Sequence, residues 1–326
     1  MRYFALALIL SGCAPLAAQA PIAEQWRAIA VEATPVEFGA EQAGALRFRG
    51  GLELRSSDSA FGGLSGMEVL EDGRLVAVSD NGAWFEAQIV LDETGALVGL
   101  SGMRIALMRD ENGEAFGSKE EGDSEALAQL QDGRLAVAFE QRQAILLYDM
   151  NRDGPFGAAT RGPPLAGVRG LPPNVGLEAM ATLANGDLLV GAEGGGAGDT
   201  PLWRSSPQTG EEIASQVRYR PALGFSLTSL DRLPNGDLIA LERFFAPVIG
   251  PRARITRFQE GALTGEVIAA EELARIAPPL ALDNFEAIAA IDMPDGVTRL
   301  YILSDDNFSS RQRTLLLAFD LEGIPE

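Results

Sequence analysis

The sequence repeats one hairpin pattern at five places, and this repetition limits the possible folds more than any other feature. Each copy alternates apolar and polar residues around an Asp-Gly or Asn-Gly turn, which is the strongest short-range signal for a β-hairpin. The turn glycines, about 50–60 residues apart, are Gly73, Gly133, Gly186, Gly236 and Gly296. Units of this period that contain strands and little helix are typical of β-propellers.

We therefore predict an all-β fold, a β-propeller with six blades, with five and seven blades left open. The segments "AWFEAQIVLD", "AILLYDM", "PLWRSS", "ARITRF" and "TLLLAFDL" predict strands outside the five hairpins. Residues 44–56 and 103–121 leave material for a sixth blade. Circular closure would bring the first and last strands together and remove exposed sheet edges. A β-sandwich is the structural alternative, but it does not explain the regular motif.

The beginning of the chain has the features of a targeting segment. Arg2 precedes an apolar run, and the sequence Leu-Ser-Gly-Cys that ends at Cys13 resembles a bacterial lipobox. Cys13 is the only cysteine, which excludes an internal disulfide. We predict a lipoprotein signal peptide at 1–12, a tether at 13–40, a propeller domain at 41–326 and a lipid-anchored, periplasmic location in a bacterial envelope. Ordinary cleavage after Ala20, giving a soluble periplasmic protein, is the alternative.

The amino-acid composition limits which catalytic groups, metals and partners the protein can use. The chain has no histidine, which excludes His-based catalytic triads and His metal ligands. Its formal net charge of −20 opposes binding to nucleic-acid backbones and to anionic membrane surfaces. We expect no nucleic-acid partner, membrane contact only through Cys13, and a monomer. Any metal must be held by oxygen, which favours Ca²⁺ or Mg²⁺ over Zn²⁺.

Acidic residues stand at the end of each hairpin that lies away from its turn. A two-residue Asn185-Gly186 loop would place Glu178 directly opposite Glu193, and the same rule would pair Glu125 with Glu140. A three-residue loop would shift the register by one and break these pairs. In either register the acids lie at the open ends, and these ends converge on one mouth of the propeller channel.

This convergence predicts a site for one or more divalent cations, with Ca²⁺ favoured, because carboxylates crowded together need compensating charge. The candidate metal ligands are Asp80, Asn81, Glu140, Glu193, Glu242, Asp305, Asp306 and Asn307. The alternative is that each acid caps a loop or pairs with a nearby arginine such as Arg142 or Arg243. We interpret the stretch from Arg109 to Glu125 as an acidic surface loop, since it lacks the residue order of an EF-hand.

Catalytic roles are predicted for the acids that begin the hairpins. One of Glu125, Glu178 and Glu286 would act as the general base. The residues expected to bind the anionic group of a substrate are Arg243, Arg311 and Arg313.

The repeated segments also resemble the phytase-like family, described as "esterase-like activity of phytase". The resemblance runs from Phe61 to Leu321 and lies in "GGLSGMEVLEDGRLVAVSDNG", "GDSEALAQLQDGRLAVAFE", "NVGLEAMATLANGDLLVGAEG", "FSLTSLDRLPNGDLIALER" and "DNFEAIAAI" with "LYILSDDNF". It implies an acidic β-propeller with phosphoesterase-like activity and a small-molecule anionic substrate. The β-propeller phytases use calcium held by carboxylates to bind and cleave phosphate esters.

Three functions follow as hypotheses. The first is a metal-dependent phosphoesterase with its acidic site at one mouth of the channel. The second is a calcium-dependent lactonase-type hydrolase, and the third is a non-catalytic envelope binding protein in which the ion is structural.

Overall fold

The inner strands of the repeated hairpins form a closed circle. In the computed structural model, which describes residues 26–168, 171, 175–193, 198–208 and 212–323, the strands form five sheets. The five inner strands contact one another in the order β5 (Leu64–Val69), β9 (Ser124–Gln129), β13 (Leu177–Thr182), β17 (Ser226–Arg232) and β22 (Asn284–Asp292), and β22 returns to β5. The protein is therefore a five-bladed β-propeller.

Each blade is named by the order of its inner strand. Blade 1 continues through β6 (Arg74–Ser79), β7 (Ala83–Leu91), β8 (Leu97–Leu107) and β1 (Arg27–Ala28). Blade 2 continues through β10 (Leu135–Phe139), β11 (Ala144–Tyr148) and β12 (Thr160–Arg161). Blade 3 continues through β14 (Leu188–Ala192), β15 (Thr200–Ser205), β16 (Glu212–Tyr219) and the parallel β20 (Val267–Ile268). Blade 4 continues through β18 (Leu238–Ala246), β19 (Gly250–Phe258) and β21 (Glu271–Ile276).

Blade 5 closes the propeller with strands from both ends of the described chain. It contains β23 (Thr298–Asp305), β24 (Thr314–Leu321), β4 (Leu46–Arg55) and β2 (Glu32–Pro35), with β3 (Gln42–Ala43) beside β4. The predicted meeting of first and last strands is confirmed, because β4 pairs with β24. The preferred count of six blades is wrong, although five lies within the predicted range. Residues 44–56 supply this closing strand, and 103–107 belong to the outer strand of blade 1.

Residues 26–40 also differ from the prediction, which assigned them to a tether. Arg27–Ala28 pairs with β8, and Glu32–Pro35 pairs with β4. β8 and β4 have unpaired backbone N–H and C=O groups along one edge, and residues 27–28 and 32–35 form hydrogen bonds with them. The segment therefore extends the sheets of blades 1 and 5. The predicted signal peptide and Cys13 lie outside the described residues. Helix α1 (Lys119–Gly122) is a single turn, and none of the described helices has the length and apolar character needed to cross a membrane.

All five hairpins share a three-residue turn. In blade 3 the amide of Leu183 bonds the carbonyl of Asp187, and Gly186 adopts φ +85°, a conformation that glycine reaches without steric cost. The predicted direct pairs are therefore wrong, and the three-residue alternative is confirmed. Blade 5, for which the sequence suggested a longer loop, has the same turn and longer strands.

The core lies between the blades. Within the described residues, five buried apolar clusters fill the five spaces between neighbouring blades. Trp84 and Tyr148, for example, join blades 1 and 2 edge to face with their ring centroids 5.0 Å apart. Because every cluster draws on two blades, each blade depends on both of its neighbours for burial.

The closing strand offers a test of this dependence. Leu317 on β24 is fully buried between blades 4 and 5. We expect Leu317→Ala to lower the free energy of unfolding by about 2–5 kcal/mol, because the deleted methyl groups leave a cavity. Urea unfolding followed by circular dichroism measures the change. Val98→Ala is the control, since Val98 is 46% exposed and should change stability by at most about 0.5 kcal/mol. Equal effects of the two substitutions would contradict the argument.

Candidate functional site

A β-bulge occurs at the same place in every inner strand. In each blade the pairing with the second strand shifts by one residue, and the bulged residues are Ser65, Glu125, Glu178, Thr228 and Glu286. Bulges leave a residue outside the regular ladder and re-aim its side chain. The three predicted catalytic glutamates occupy this one structural position in blades 2, 3 and 5.

In blades 1 and 4 the bulged position holds a serine and a threonine, which interact differently from the glutamates. Ser65 donates to the carbonyl of Ser124 in blade 2, and Thr228 lies 3.5 Å from the carbonyl of Phe285 in blade 5. These short side chains are buried and bond the neighbouring backbone. The glutamates of the other blades are longer and bring their carboxylates together instead.

A second set of side chains stands where the second strand of each blade ends. It consists of Asp80, Glu140, Glu193, Arg243 and Asp305. Opposite them on the inner strands are Gly63, Asp123, Gly176, Ser226 and Asn284. Gly176 is needed for close packing, because a Cβ atom there would lie 2.0 Å from Cγ of Glu140 in the preceding blade. The open ends of the hairpins therefore converge on one mouth of the channel, as predicted.

We call this region the acidic mouth. Its carboxylates are Asp80, Asp123, Glu125, Glu140, Glu178, Glu193, Glu286, Asp305 and Asp306. Two cationic side chains among the described residues lie between them, Lys119 and Arg243. Lys119 is the only lysine of the chain. Negative charge is thus in large excess.

Arg243 organises one side of the acidic mouth. Its guanidinium lies 2.8 Å from Oε1 of Glu286 and 3.4 Å from Oε1 of Glu193, and it also donates to the side chain of Asn284. The amide of Asn284 donates to the same Glu286 oxygen at 2.8 Å. Oε2 of Glu286 is buried and has no hydrogen-bond partner in the described part of the chain. One oxygen of Glu286 is therefore held by two donor side chains, while the other has no donor in the described part of the chain.

The opposite side of the mouth has the geometry of a cation site. Carboxylate oxygens of Asp123, Glu125 and Glu140 lie within 4.8 Å of one another. Two oxygens bound to one Ca²⁺ at about 2.4 Å each can be at most about 4.8 Å apart. Lys119 contacts Asp80 and lies 3.9 Å from Oδ1 of Asp123.

Asp80 adds an independent observation at this side. The residue is 6% exposed, and its Oδ1 has no hydrogen-bond partner among the residues described. A buried carboxylate oxygen without a donor is costly unless a cation or proton satisfies it. The donor set is composed of oxygen atoms alone, so these residues fit a hard divalent cation such as Ca²⁺.

Burial and mutual repulsion raise the pKa values of several carboxyl groups in the acidic mouth. Burial is the largest cause for Glu125 and Glu178, whose pKa values lie well above the usual range, followed by the charges of Glu178 and Glu286 respectively. Burial likewise raises the pKa of Glu286 to about 8, against the lowering effect of Arg243. The pKa values of Glu140 and Asp305 rise to about 7, again mainly through burial.

Several predicted ligands have other roles. Glu242 is wrong as a mouth residue: it is fully buried and accepts bonds from the Tyr219 hydroxyl at 2.6 Å and Arg254 at 2.7 Å. Neighbouring residues of a strand point to opposite faces, so Arg243 faces the mouth and Glu242 faces away. Asp306 reaches the mouth but also caps backbone, accepting from the amides of Gly63 and Phe308. Asn81 is exposed in the turn after β6.

The other predicted substrate-binding residues separate into two groups. Arg311 and Asn307 line a cavity of about 750 Å³ that also borders Glu193, Arg243 and Asn284. Arg313 lies elsewhere, 3.4 Å from Asp283 and 3.8 Å from Glu53, and does not line this cavity. The alternative that a nearby arginine pairs with the acids thus holds for Arg243, which contacts both Glu193 and Glu286. Arg142 instead pairs with Glu111 outside the mouth.

Sequence reasoning missed Lys119, Asp123 and Asn284. The stretch 109–125 was interpreted as a surface loop, but its last part turns into the mouth through α1. Asp123 and Asn284 could have been found by position, because each stands two residues before a bulged glutamate.

The raised pKa values predict how stability depends on pH. Glu286 and Asp305 bind protons more tightly in the native state than in the unfolded state, so lowering the pH from about 8 to about 5 should stabilise metal-free protein. Glu272, whose pKa is lowered to about 2 mainly by Arg275, has the opposite effect but only below this window. Melting temperature measured in EDTA should therefore rise as pH falls through the window. A melting temperature that increased from pH 5 to pH 8 would contradict the prediction.

Comparison with known proteins gives a family and several distant structural likenesses. No curated protein matches the sequence. A putative gluconolactonase structure has a TM-score of 0.47 at 14% identity, covering 93% of each chain. Regucalcin, a calcium-binding protein of Agrobacterium tumefaciens, has a TM-score of 0.42 at 14% identity, covering 84% of this chain and 81% of its own. At this level of identity, likeness does not extend to a reaction or a ligand.

The family match is of a different kind, because it spans most of the chain and contains the residues of the acidic mouth. The Phytase-like family, described as "Esterase-like activity of phytase", matches residues 59–308. These bounds include all five bulged positions and both sets of side chains around them. The chain belongs to the Phytase-like family.

Proposed function

We propose that the protein is a hydrolase that cleaves phosphate esters of small molecules at the acidic mouth and depends on a divalent cation. The observation that carries the proposal is the arrangement of Glu286. One of its oxygens is fixed by Arg243 and Asn284, while the other is buried and free. Arg243 and Asn284, which hold this carboxylate, both line the cavity of about 750 Å³, where an anionic group can meet Arg243.

Asp123, Glu125 and Glu140 would hold the cation, with the free Oδ1 of Asp80 close by. A divalent cation there supplies positive charge that neutralises a phosphate group and lowers the pKa of water. Lys119 provides positive charge on the same side through its contacts with Asp80 and Asp123. The chain therefore offers one position for a cation and another for the group that transfers the proton.

Arg243 is the proposed anion-binding residue. Its guanidinium already lies between Glu193 and Glu286, so its position is set before a substrate arrives. Arg311 is exposed on the same cavity and can contact the outer part of the substrate. A guanidinium binds phosphate oxygens through paired hydrogen bonds.

Glu286 is the proposed general base. Burial raises its pKa to about 8, which brings the group close to the range where a carboxylate accepts a proton effectively at neutral pH. Oε1 stays bonded to Arg243 and Asn284, which orients the carboxylate, and Oε2 is the oxygen that takes a proton from attacking water. The charge of Glu286 also contributes to the raised pKa of Glu178, after the larger effect of burial.

Lactone hydrolysis is the second candidate, since Asn284 and Asn307 add amide groups to the carboxylates around the same cavity. Carboxylate and amide oxygens together suit calcium. A panel of phosphate esters and sugar lactones separates the two candidates. A panel on which metal raises the melting temperature while no substrate is turned over would instead indicate a binding protein with a structural ion.

The proposal predicts loss of activity on changing Glu286. We expect Glu286→Gln to reduce the rate of phosphate release from a simple organic ester by at least about 100-fold, since general-base catalysis is removed. EDTA should also abolish the rate, and added Ca²⁺ should restore it. Glu93→Gln, an exposed acid in the β7–β8 loop, is the matched control and should keep full activity. Full activity in EDTA would refute the cation dependence, and full activity of Glu286→Gln would refute the assigned base.

We further propose a lipid anchor at Cys13 that holds the protein on the periplasmic side of a bacterial envelope. The lipobox-like sequence and the single cysteine support this. Detergent phase partitioning of the expressed full chain should place it in the detergent phase, and Cys13→Ser should move it to the aqueous phase. A mature protein that begins at Pro21 would show instead that cleavage follows Ala20.

A further inference from the structure

Blade 4 carries a hairpin extension that the other blades lack in the described residues. Strands β6, β10 and β14 end one residue before Asp80, Glu140 and Glu193, and β23 ends at Asp305. Strand β18 continues three residues beyond the equivalent Arg243, and Phe244, Phe245 and Ala246 pair with the start of β19. The extension, residues 244–251, therefore projects past the acidic mouth.

The side chains of this extension are apolar and exposed. Phe245 is 68% exposed, Val248 98% and Ile249 51%, and the nearby Leu223 is 93% exposed. They add nothing to the buried core, and exposing them to water is unfavourable unless they contact something else. Contiguous exposed apolar side chains of this kind mark binding sites.

The extension forms one wall of the cavity beside the acidic mouth. Phe244, Phe245 and Pro251 line the cavity of about 750 Å³ together with the polar residues Asn307, Arg311 and Gln312. Phe244 is held in place, because its ring lies 5.5 Å from that of Phe225. The volume is that of a small-molecule site, which typically has about 300–1,000 Å³.

The charges of this cavity limit how many negative groups a ligand can carry. Arg243 and Arg311 are the cationic side chains of its lining, and Arg243 is already balanced by Glu193 and Glu286. A ligand with many phosphates would place most of them beside carboxylates, which is unfavourable. The cavity therefore suits one anionic group next to an apolar group.

From this geometry we infer that the substrate is a monoester whose single anionic group binds at Arg243 and whose apolar group, aryl or alkyl, packs against Phe244 and Phe245. The inference rests on the proposed function and names its substrate class. It disfavours polyphosphorylated sugars such as inositol hexakisphosphate as the preferred substrate. It also makes Phe245 a residue that determines specificity without touching the reacting atoms.

A binding experiment with non-hydrolysable ligands tests the inference without turnover. Phenylphosphonate and methylphosphonate share the anionic group and differ in the apolar one. Calorimetry in Ca²⁺ should show phenylphosphonate binding at least about tenfold more tightly, the usual scale for added apolar contact in a pocket. Phe245→Ala should remove most of this preference and leave methylphosphonate unchanged. Val98→Ala, an exposed apolar substitution on β8, should change neither.

The outcomes distinguish this inference from the proposed function. If neither phosphonate binds, the proposed function fails and the inference fails with it. If both bind equally, or if Phe245→Ala affects both equally, only the inference is overturned. Tighter binding of inositol hexakisphosphate than of phenylphosphonate would overturn it as well. Co-sedimentation with phosphatidylglycerol vesicles that is lost in Phe245→Ala, with phosphonate binding unaltered, would assign the extension to membrane contact instead.

Discussion

The acidic mouth depends on one constraint: the same turn and bulge, repeated in every blade, bring negatively charged carboxylates close together. The three-residue turn shifts each hairpin by one residue, and the bulge shifts it by one more, so that an inner-strand glutamate and a second-strand acid reach the same mouth. Glu125 and Glu140 lie close together although these shifts place Asp123, and not Glu125, opposite Glu140. Burial first, and then repulsion among these groups, raises their pKa values, so that protons or cations stabilise the native state. The acidic mouth thus results both from the repeated hairpin geometry and from the acidic residues that occupy the repeated positions.

The distribution of positive charge gives the mouth two different halves. Lys119 lies with Asp80 and Asp123 on the side that fits a cation, whereas Arg243 lies with Glu193 and Glu286 on the side that borders the cavity. Blade 4 causes this asymmetry, since it alone places an arginine where the other blades place a carboxylate. The two halves of the mouth therefore present different charges to a ligand, which a uniformly acidic mouth would not do.

The parts of this structure that depend on short-range signals could be predicted from the sequence. Asp-Gly and Asn-Gly turns with alternating apolar residues identified the inner hairpins, and the acids at their open ends identified Glu125, Glu178 and Glu286. The blade count could not be obtained in this way, because residues 46–55 form a closing strand only through pairing with residues 314–321. Glu242 was misplaced because the hairpin pattern marks the end of a strand but not the face on which a side chain lies. Lys119 was missed because the sequence of a loop does not show the direction in which the loop turns.

The closing sheet has a consequence for the order in which the molecule can form. Blade 5 contains Glu286 but is completed by a strand from residues 46–55 beside one from residues 314–321. These contacts span almost the entire chain, and such distant pairings form slowly. Without residues 314–321, β4 loses the strand that joins it to β23 and β22, and the circle of blades cannot close as it does here. We therefore expect a chain shortened before these residues to keep the hairpins of blades 1–4 but to lack a closed acidic mouth.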